Sequence, residues 1–384
     1  MANYKITPIT TIEALTAYRK AWDALAEMDQ RDGFFRSWDW QVFWFKHFSP
    51  ANSLFTLIVT EDDEVTAIVP MAFYKIRILP KLYCTVLGFM GREIVTGDYL
   101  DILCESRDKQ SILSLVVSWL LAQKMNFSLL LFGEVLVTEP VRESGKKLLC
   151  GHPVRQQESR VCPYITLPLN YNDYLQGLSK KFRSNVRYYT KKILESLGGQ
   201  ITVASEGEQI IDGLNDLFFL HIKRWQAEGV PCTFTDPIFQ NFIKDLCKKC
   251  AAENRVKLYR IIVDNKAIAA VLMFYWKETA IFYQTGWDPD YKNYSPGVVL
   301  IGRTIQDAID DGRKYYDFLR GDEGYKANWA KEHRTTHTLL LPNKPGANFY
   351  LLLLKLKDII KSDYHRTSAI VSTRCGTGWV RKAT

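Results

Sequence analysis

The stretch Phe318–Trp329, FLRGDEGYKANW, gathers two glycines, two carboxylates, an arginine, a lysine and a tyrosine directly after a strand-like run. Such a set can supply a general base (Asp322 or Glu323), a proton donor (Tyr325) and anion-binding groups (Arg320, Lys326). It can equally be a polar loop closed by a surface ion pair. A second candidate is Ser295-Pro296-Gly297, between the run IFYQTGW and a helix-like segment. A helix N-terminus offers unpaired N–H groups and a partial positive charge. Glycine there lets a ligand approach the backbone, and proline sets the turn without adding a donor. Neither G-x-G-x-x-G nor a Walker motif is present, so a plain turn before a helix is the competing reading. The helix over 297–312 would join two neighbouring strands. That would bring the 318–329 loop to the same end of the sheet as Gly297, where ligands of crossover sheets collect.

A third candidate is LSKKFRSNVRYYTKKILESLGG. As a helix it places Phe182, Val186, Tyr189, Ile193 and Leu197 on one stripe and Lys180, Arg183, Arg187 and Lys191 on another. The basic stripe suits a polyanion or a solvated face. His221, Arg224 and Trp225 share a helix face and can line a cleft. Cys247 and Cys250 form a C-x-x-C in mid-helix with no second pair at zinc spacing, so no metal is expected. There is no G-x-S-x-G elbow and no H-E-x-x-H.

The elements that must hold these residues come in two similar sets. Residues TIEALTAYRKAWDALAEM and SWDWQVFWFKHF read as helices, the second capped by Ser37. Strands SLFTLIVT, VTAIVPMAFYKI and GDYLDILC follow, then helix QSILSLVVSWLLAQ and strand SLLLF. The second half repeats the order. Helices QIIDGLNDLFFLHIKRWQAEG and DPIFQNFIKDLCKKCAAE precede strands RVKLYRIIV, AIAAVLMFYW and TAIFYQTGW, helix GVVLIGRTIQDAIDDG and strand KYYDFL. Charged turns Asp62-Asp63 and Asp264-Asn265 occupy the same place in each set. Each set thus reads α-α-β-β-β-α-β. The join, SRVCPYITLPLNYNDYLQGLS, reads as a strand and a short helix.

The 384 residues suit two domains; 47% are apolar and 13% aromatic, ample for packed cores. A net charge of +8 with a pI near 8.9 fits phosphate-bearing ligands and is too weak to argue nucleic acid. The eight cysteines have no regular framework, and no secretory signal or membrane-spanning run is visible. A reducing, cytoplasmic setting is expected. The segment ANFYLLLLKLKDIIKS, followed by Arg366, Arg374, Arg381 and Lys382, reads as a short helix with a basic tail that can pack on the domain or touch an anionic membrane.

Residues YRIIVDNKAIAAVLMFYWKETAIFYQTGWDPDYKNYSPGVVLIGRTIQDAIDDGRKYYDFLRGDEGYKANW resemble the acyltransferase domain of bacterial cellulose-biosynthesis-like acetyltransferases. That family lies in the GNAT superfamily and is related to Fem-type aminoacyl transferases. LSKKFRSNVRYYTKKILESLGG, HIKRWQAEG, FFRSWDWQVFW and GDYLDIL share the likeness. Its most specific parts are YSPG and D-F-x-x-G-x-x-x-Y-K-x-x-W, here Asp317, Phe318, Gly321, Tyr325, Lys326 and Trp329. The resemblance implies an α/β (α+β) fold of tandem GNAT-like domains, with mixed, mainly antiparallel sheets flanked by helices. The expected division is 1–160, 161–345 and a C-terminal helix with tail, 346–384.

It also implies transfer of an acyl group from acyl-CoA (acetyl-CoA), as co-substrate and without metal, to an amine or hydroxyl of a sugar, sugar nucleotide or cell-envelope precursor. Ser295, Pro296, Gly297, Val298, Tyr283, Gln284, Arg320 and Lys326 would then hold the donor. Asp322, Glu323 and Tyr325 would be catalytic, Tyr325 or Tyr283 protonating the thiolate, with N–H groups near Gln284–Gly286 as the oxyanion site. His221, Arg224, Trp225, Arg183, Arg187 and Trp329 would meet the acceptor. One glycine and a proline replace the usual Arg/Gln-x-x-Gly-x-Gly/Ala. Two other readings therefore stand beside this one: a Fem-type transferase using aminoacyl-tRNA, and a non-catalytic scaffold subunit in polysaccharide biosynthesis. Nucleic acid is expected as a partner only in the tRNA case; otherwise the partners are a glycan acceptor and envelope-building machinery.

Overall fold

The computed structural model describes residues 3–344, 347 and 351, apart from 51–52, 92–96, 106, 124, 137–140, 144–145, 150, 228 and 230–231. The helix and basic tail expected over 346–384 lie, but for residues 347 and 351, outside the described residues.

The first unit runs β1 (Tyr4–Ile9), α1 (Ile12–Thr16), α2 (Arg19–Glu27), α3 (Trp38–Phe48), β2 (Thr56–Glu61), β3 (Glu64–Val69), β4 (Met71–Leu79), β5 (Leu82–Phe89), β6 (Leu103–Cys104), α4 (Lys109–Ala122) and β7 (Leu129–Val135). A small sheet of β8 (Val141–Glu143), β9 (Lys146–Leu149) and β10 (His152–Pro153) follows. Next come β11 (Arg155–Thr166), α5 (Tyr171–Gly177) and α6 (Lys180–Lys191). The second unit is β12 (Gln200–Ala204), α7 (Gly207–Ala227), α8 (Pro237–Ala251), β13 (Val256–Val263), β14 (Lys266–Trp276), β15 (Thr279–Trp287), α9 (Pro296–Asp310) and β16 (Tyr315–Asp317). Strand β17 (Glu332–Pro342) closes the described fold.

The doubled order holds. In each unit a meander leads into a crossover helix, and the flanking strands pair in parallel: β5 with β7, β15 with β16. Both charged turns have their two residues at positive φ, 49° and 68° at Asp62-Asp63 and 49° and 60° at Asp264-Asn265. A tight two-residue hairpin needs that left-handed pair, and Asp and Asn tolerate it best after glycine. The expected cap is present, Ser37 Oγ accepting from the Trp40 N–H at 3.4 Å.

Three features differ from the sequence reading. Each unit opens with a strand, β1 and β12, whose mostly exposed residues give little apolar alternation. The third meander strand of the first unit is β5, not GDYLDILC, of which only Leu103–Cys104 pairs, against Ala67 and Ile68. The run VTAIVPMAFYKI is two strands. Pro70 has no N–H to give, and the chain there passes from the sheet β1-β2-β3-β6 to the ten-stranded one. The helix at 180–191 also runs on as a π-turn, Lys192–Ser196.

The large sheet has the order β12-β13-β14-β15-β16-β11-β17-β7-β5-β4, so β11 and β17 bridge the units. The 160/161 position falls inside β11. β14 is buried along almost its whole length because both faces are covered. Ala270, Leu272 and Phe274 join a core shared with α3, α7 and α8. Ala269, Val271, Met273 and Tyr275 face α9 and α6. The units share their helix layer: Trp40 of α3 packs edge-on against Phe242 of α8 at 5.2 Å, and Phe34 stacks on Phe274 at 4.7 Å. Cys247 and Cys250 lie in that core. Among the described residues no helix is long and apolar enough to cross a membrane.

Candidate active site

Strands β15 and β16 pair over Thr279–Ile281 and Tyr315–Asp317 only. The register of β15 against β14 then shifts between Phe282 and Gln284, leaving Tyr283 as a bulge. A bulge bends its strand, and from that point β15 runs on past the end of β16. Helix α9 starts shortly after β15 ends. Ser295 sits in the left-handed region (φ 47°, ψ 53°), an expensive place for serine, and Pro296 is the first helical residue. The Val298 N–H turns back to Ser295 O at 3.0 Å, and Pro296 has none to offer. A Cβ on Gly297 would meet only Trp287 Cδ1, at 3.9 Å, so nothing in the protein requires glycine there. The space it leaves opens on a cleft of about 400 Å³ whose walls include Phe182, Arg224, Trp287, Lys292, Tyr325 and Trp329.

A second cavity of about 350 Å³ adjoins it, with Tyr325 in the wall of both. Phe35 and Asp98 of the first unit line it, with His221, Trp225, Tyr283, Gln284, Arg320, Glu323 and Lys326 of the second. Helix α7 reaches this wall because Gly286 lets it press on β15; a Cβ there would stand 2.7 Å from the His221 backbone nitrogen.

The loop after β16 is set by its own chain. Gly321 has φ 123°, and a Cβ would collide with the Glu323 carboxylate at 2.4 Å. Lys326 is buried, its Nζ donating to Arg320 O at 3.0 Å and pairing with Glu323 Oε2 at 2.8 Å. Arg320 turns inward, Nε 3.5 Å from Asp98 Oδ1 and Nη1 3.3 Å from Glu134 Oε1. Burial, helped by Glu323, raises the Tyr325 hydroxyl above its ordinary value, so it stays protonated at neutral pH. Burial, and then Arg224, pushes His221 down to about 4. The Trp225 indole N–H donates to His221 Nε2 at 3.0 Å, which leaves the ring proton on Nδ1, 3.1 Å from Cys232 Sγ. Neutral and engaged at both nitrogens, His221 shapes the wall rather than moving protons.

The expected site residues divide between places. Ser295, Pro296, Gly297, Val298, Arg224 and Trp329 line the first cleft. His221, Trp225, Tyr283, Gln284, Arg320, Glu323 and Lys326 line the second, which puts Tyr283, Gln284, Arg320 and Lys326 away from the Gly297 turn. Asp322 is exposed and lines neither. Arg183 donates to Leu175 O and Gln176 O at the end of α5, and Arg187 lies in a separate groove between α6 and α9. The basic stripe therefore does not enter the clefts; of that helix, Phe182 does. We expect Asp322→Asn to leave turnover within about twofold, as for an exposed loop change, measured by steady-state kinetics. A larger loss would return the base assignment to Asp322.

Asp98 was not legible as a site residue. It stood in a run taken for a strand, and only its charge amid Tyr99, Leu100 and Ile102 signalled it. Beside it, Tyr99 Oη donates to Asp317 at 2.9 and 3.0 Å. Arg334 of β17 bridges Asp317 and Asp32, the latter at 2.7 Å to both carboxylate oxygens, with its guanidinium 4.2 Å over the Tyr99 ring. Tyr99, Glu134 and Leu319 all hold positive φ around this junction, as residues at over-determined functional sites do.

A doubled meander-crossover unit, with β15 running on past β16 and a helix start beside the cleft, defines a tandem GNAT-like fold. Residues 180–327 match the model of the acetyltransferase (GNAT) domain, which supports an N-acyltransferase. The chain is similar to the crystal structure of FemX, at 12% identity over 90% of this chain and 99% of that one, with a TM-score of 0.57. It is similar to the C-terminal domain of a putative lysylphosphatidylglycerol synthetase from Agrobacterium fabrum (9% identity, 89% and 96% covered, TM-score 0.52). It is also similar to L-PGS from Bacillus licheniformis (11%, 90% and 97%, 0.50). No curated protein matches it by sequence.

Proposed function

We propose that the protein transfers an acyl group from acyl-coenzyme A to an amine of a sugar, sugar nucleotide or cell-envelope precursor in the cytoplasm. The observation that carries this reading is the pair of cavities meeting at Tyr325. The first is mostly apolar, as a pantetheine arm needs, and it ends on a helix N-terminus with Arg224 and Lys292 in its wall, as a pyrophosphate needs. The open space before Gly297 is where that phosphate fits. The second cavity is polar, and takes the acceptor.

In this reading the open edge of β15 beyond Ile281 receives the thioester, and its N–H groups near Gln284–Gly286 hold the oxyanion. Tyr325, reachable from both sides, gives its proton to the leaving thiolate. The alternative, a Fem-type aminoacyl-tRNA donor, makes a different demand, an extended basic surface, whereas Arg183 here is spent on capping α5.

Gly297→Val places two methyl groups in the phosphate space while keeping a helix-compatible backbone. Coenzyme A affinity should fall about 10–100-fold, as for a lost charge-assisted hydrogen bond. Calorimetric titration of the folded variant checks this. Unchanged affinity, or wild-type binding of tRNA with none of coenzyme A, would overturn the proposal.

A further inference from the structure

We propose that the acceptor enters as a primary ammonium ion, and that Asp98, supplied by the first unit, both recognises the charge and takes its proton. This rests on the acyl-transfer reading above and names the class of acceptor it requires. Asp98 is 3% exposed and lines the second cavity. Its buried Oδ1 has no hydrogen-bond partner. A buried carboxylate oxygen held only loosely, with Arg320 Nε at 3.5 Å, is costly unless a ligand with N–H groups completes it.

The neighbouring carboxylates have closer cations than Asp98 does. Glu323 is matched by Lys326, and Asp317 by Arg334. Asp98 and Glu134, both buried, share the single inward guanidinium of Arg320. Arg160, about half exposed, approaches Glu134 at 3.5 Å from the outside. An ammonium group at Asp98 would give it a close charge partner of its own. The other possible bases are spent: His221 is neutral with both nitrogens engaged, and Glu323 is more than half exposed and held by Lys326.

Proton and electron bookkeeping closes. Asp98 removes one proton from the ammonium group and passes it to solvent. The freed nitrogen lone pair attacks the thioester carbonyl, forming C–N as C–S breaks. The second nitrogen proton reaches the departing sulfur through the Tyr325 hydroxyl. Burial, against the pull of Arg320 and with Glu134 and Asp317 adding to it, pushes the Asp98 carboxyl up to about 6. It is therefore ionised at neutral pH yet basic enough to accept a proton, and turnover should fall as pH drops through that value.

The test titrates the full chain, without donor, with methylamine, ethanolamine and glucosamine, and with the uncharged ethylene glycol and N-acetylglucosamine, by ligand-observed NMR. The charged members should bind at least about tenfold tighter, the worth of a hydrogen bond to a charged group. Asp98→Asn should abolish that preference with coenzyme A affinity unchanged. A wild-type protein without the preference, whether or not anything binds, overturns the proposal, as does a variant that keeps it. Should the variant not fold, the wild type decides: for methylamine and ethanolamine the preference must weaken between about pH 7 and about pH 5, where Asp98 gains its proton. An equal preference at both overturns it. Coenzyme A titration judges the donor reading separately.

Discussion

Arg334→Ala should destabilise the protein by about 3–5 kcal/mol, the usual result of removing one partner of a buried ionic group. Among the described residues, Arg334 is the one cation that pairs with both Asp317, which is 1% exposed, and Asp32. Without it, Asp317 stays buried with the Tyr99 hydroxyl and the Leu319 N–H as donors, and Asp32 keeps Arg31 at 4.0 Å. The loss also reaches the fold's plan. Arg334 lies on the bridging strand β17, Asp32 precedes α3, Tyr99 precedes α4 and Asp317 ends β16, so one side chain ties both units together.

Urea unfolding near neutral pH measures the effect. The sign of its pH dependence is fixed by burial. Burial already holds Asp32 above the ordinary carboxylate range despite Arg334. A carboxyl with a raised folded value favours the folded state below its unfolded pKa and loses that contribution as pH rises through the folded one. With the guanidinium gone, the Asp32 carboxyl shifts further up, so the gap to wild type should narrow on acidification. Arg334→Lys should fall between, since a point charge cannot grip two carboxylates as the planar fork does. A variant as stable as wild type would show that Asp32 and Asp317 find other partners.

Tyr325→Phe should lower kcat about 100-fold, the lower range for losing a positioned proton donor, with coenzyme A affinity within about threefold. The ring, which lines both cavities, is kept; only the hydroxyl is lost. The low-pH limb set by Asp98 should persist in the variant, which separates the two proton roles. Initial-rate kinetics with acetyl-CoA against pH supply both readouts. An unchanged kcat would mean that the thiolate leaves without help from this tyrosine.

The sequence carried the second unit well because its strands are long and continuously apolar, and because Asp264-Asn265 permits one kind of turn. It misplaced the third strand of the first unit. LYCTVLGF lacks alternation, whereas GDYLDILC, whose apolar side chains pack at the junction of the units, imitates a strand. The Gly297 turn and the loop through Tyr325 were visible as chemistry near a helix start. Lys326 and Arg320 were legible as cations but not as the inward-turned supports they are, since direction depends on what lies beneath them. Asp98 could not be found, because its role comes from a partner more than two hundred residues away, Arg320.

Local chemistry, then, is what the sequence determined by itself: two meander-crossover units, their hairpin turns, the proline-glycine helix start and the polar loop after β16. These follow from hydrogen-bond periodicity and backbone sterics within a few residues. The tertiary structure alone decided that β11 and β17 join the two units in one ten-stranded sheet, that Arg183 and Arg187 stay outside the clefts, and that a carboxylate from the first unit lines the same cavity as the second unit's tyrosine. Those outcomes depend on burying apolar faces and pairing charges between distant segments, which no local pattern encodes.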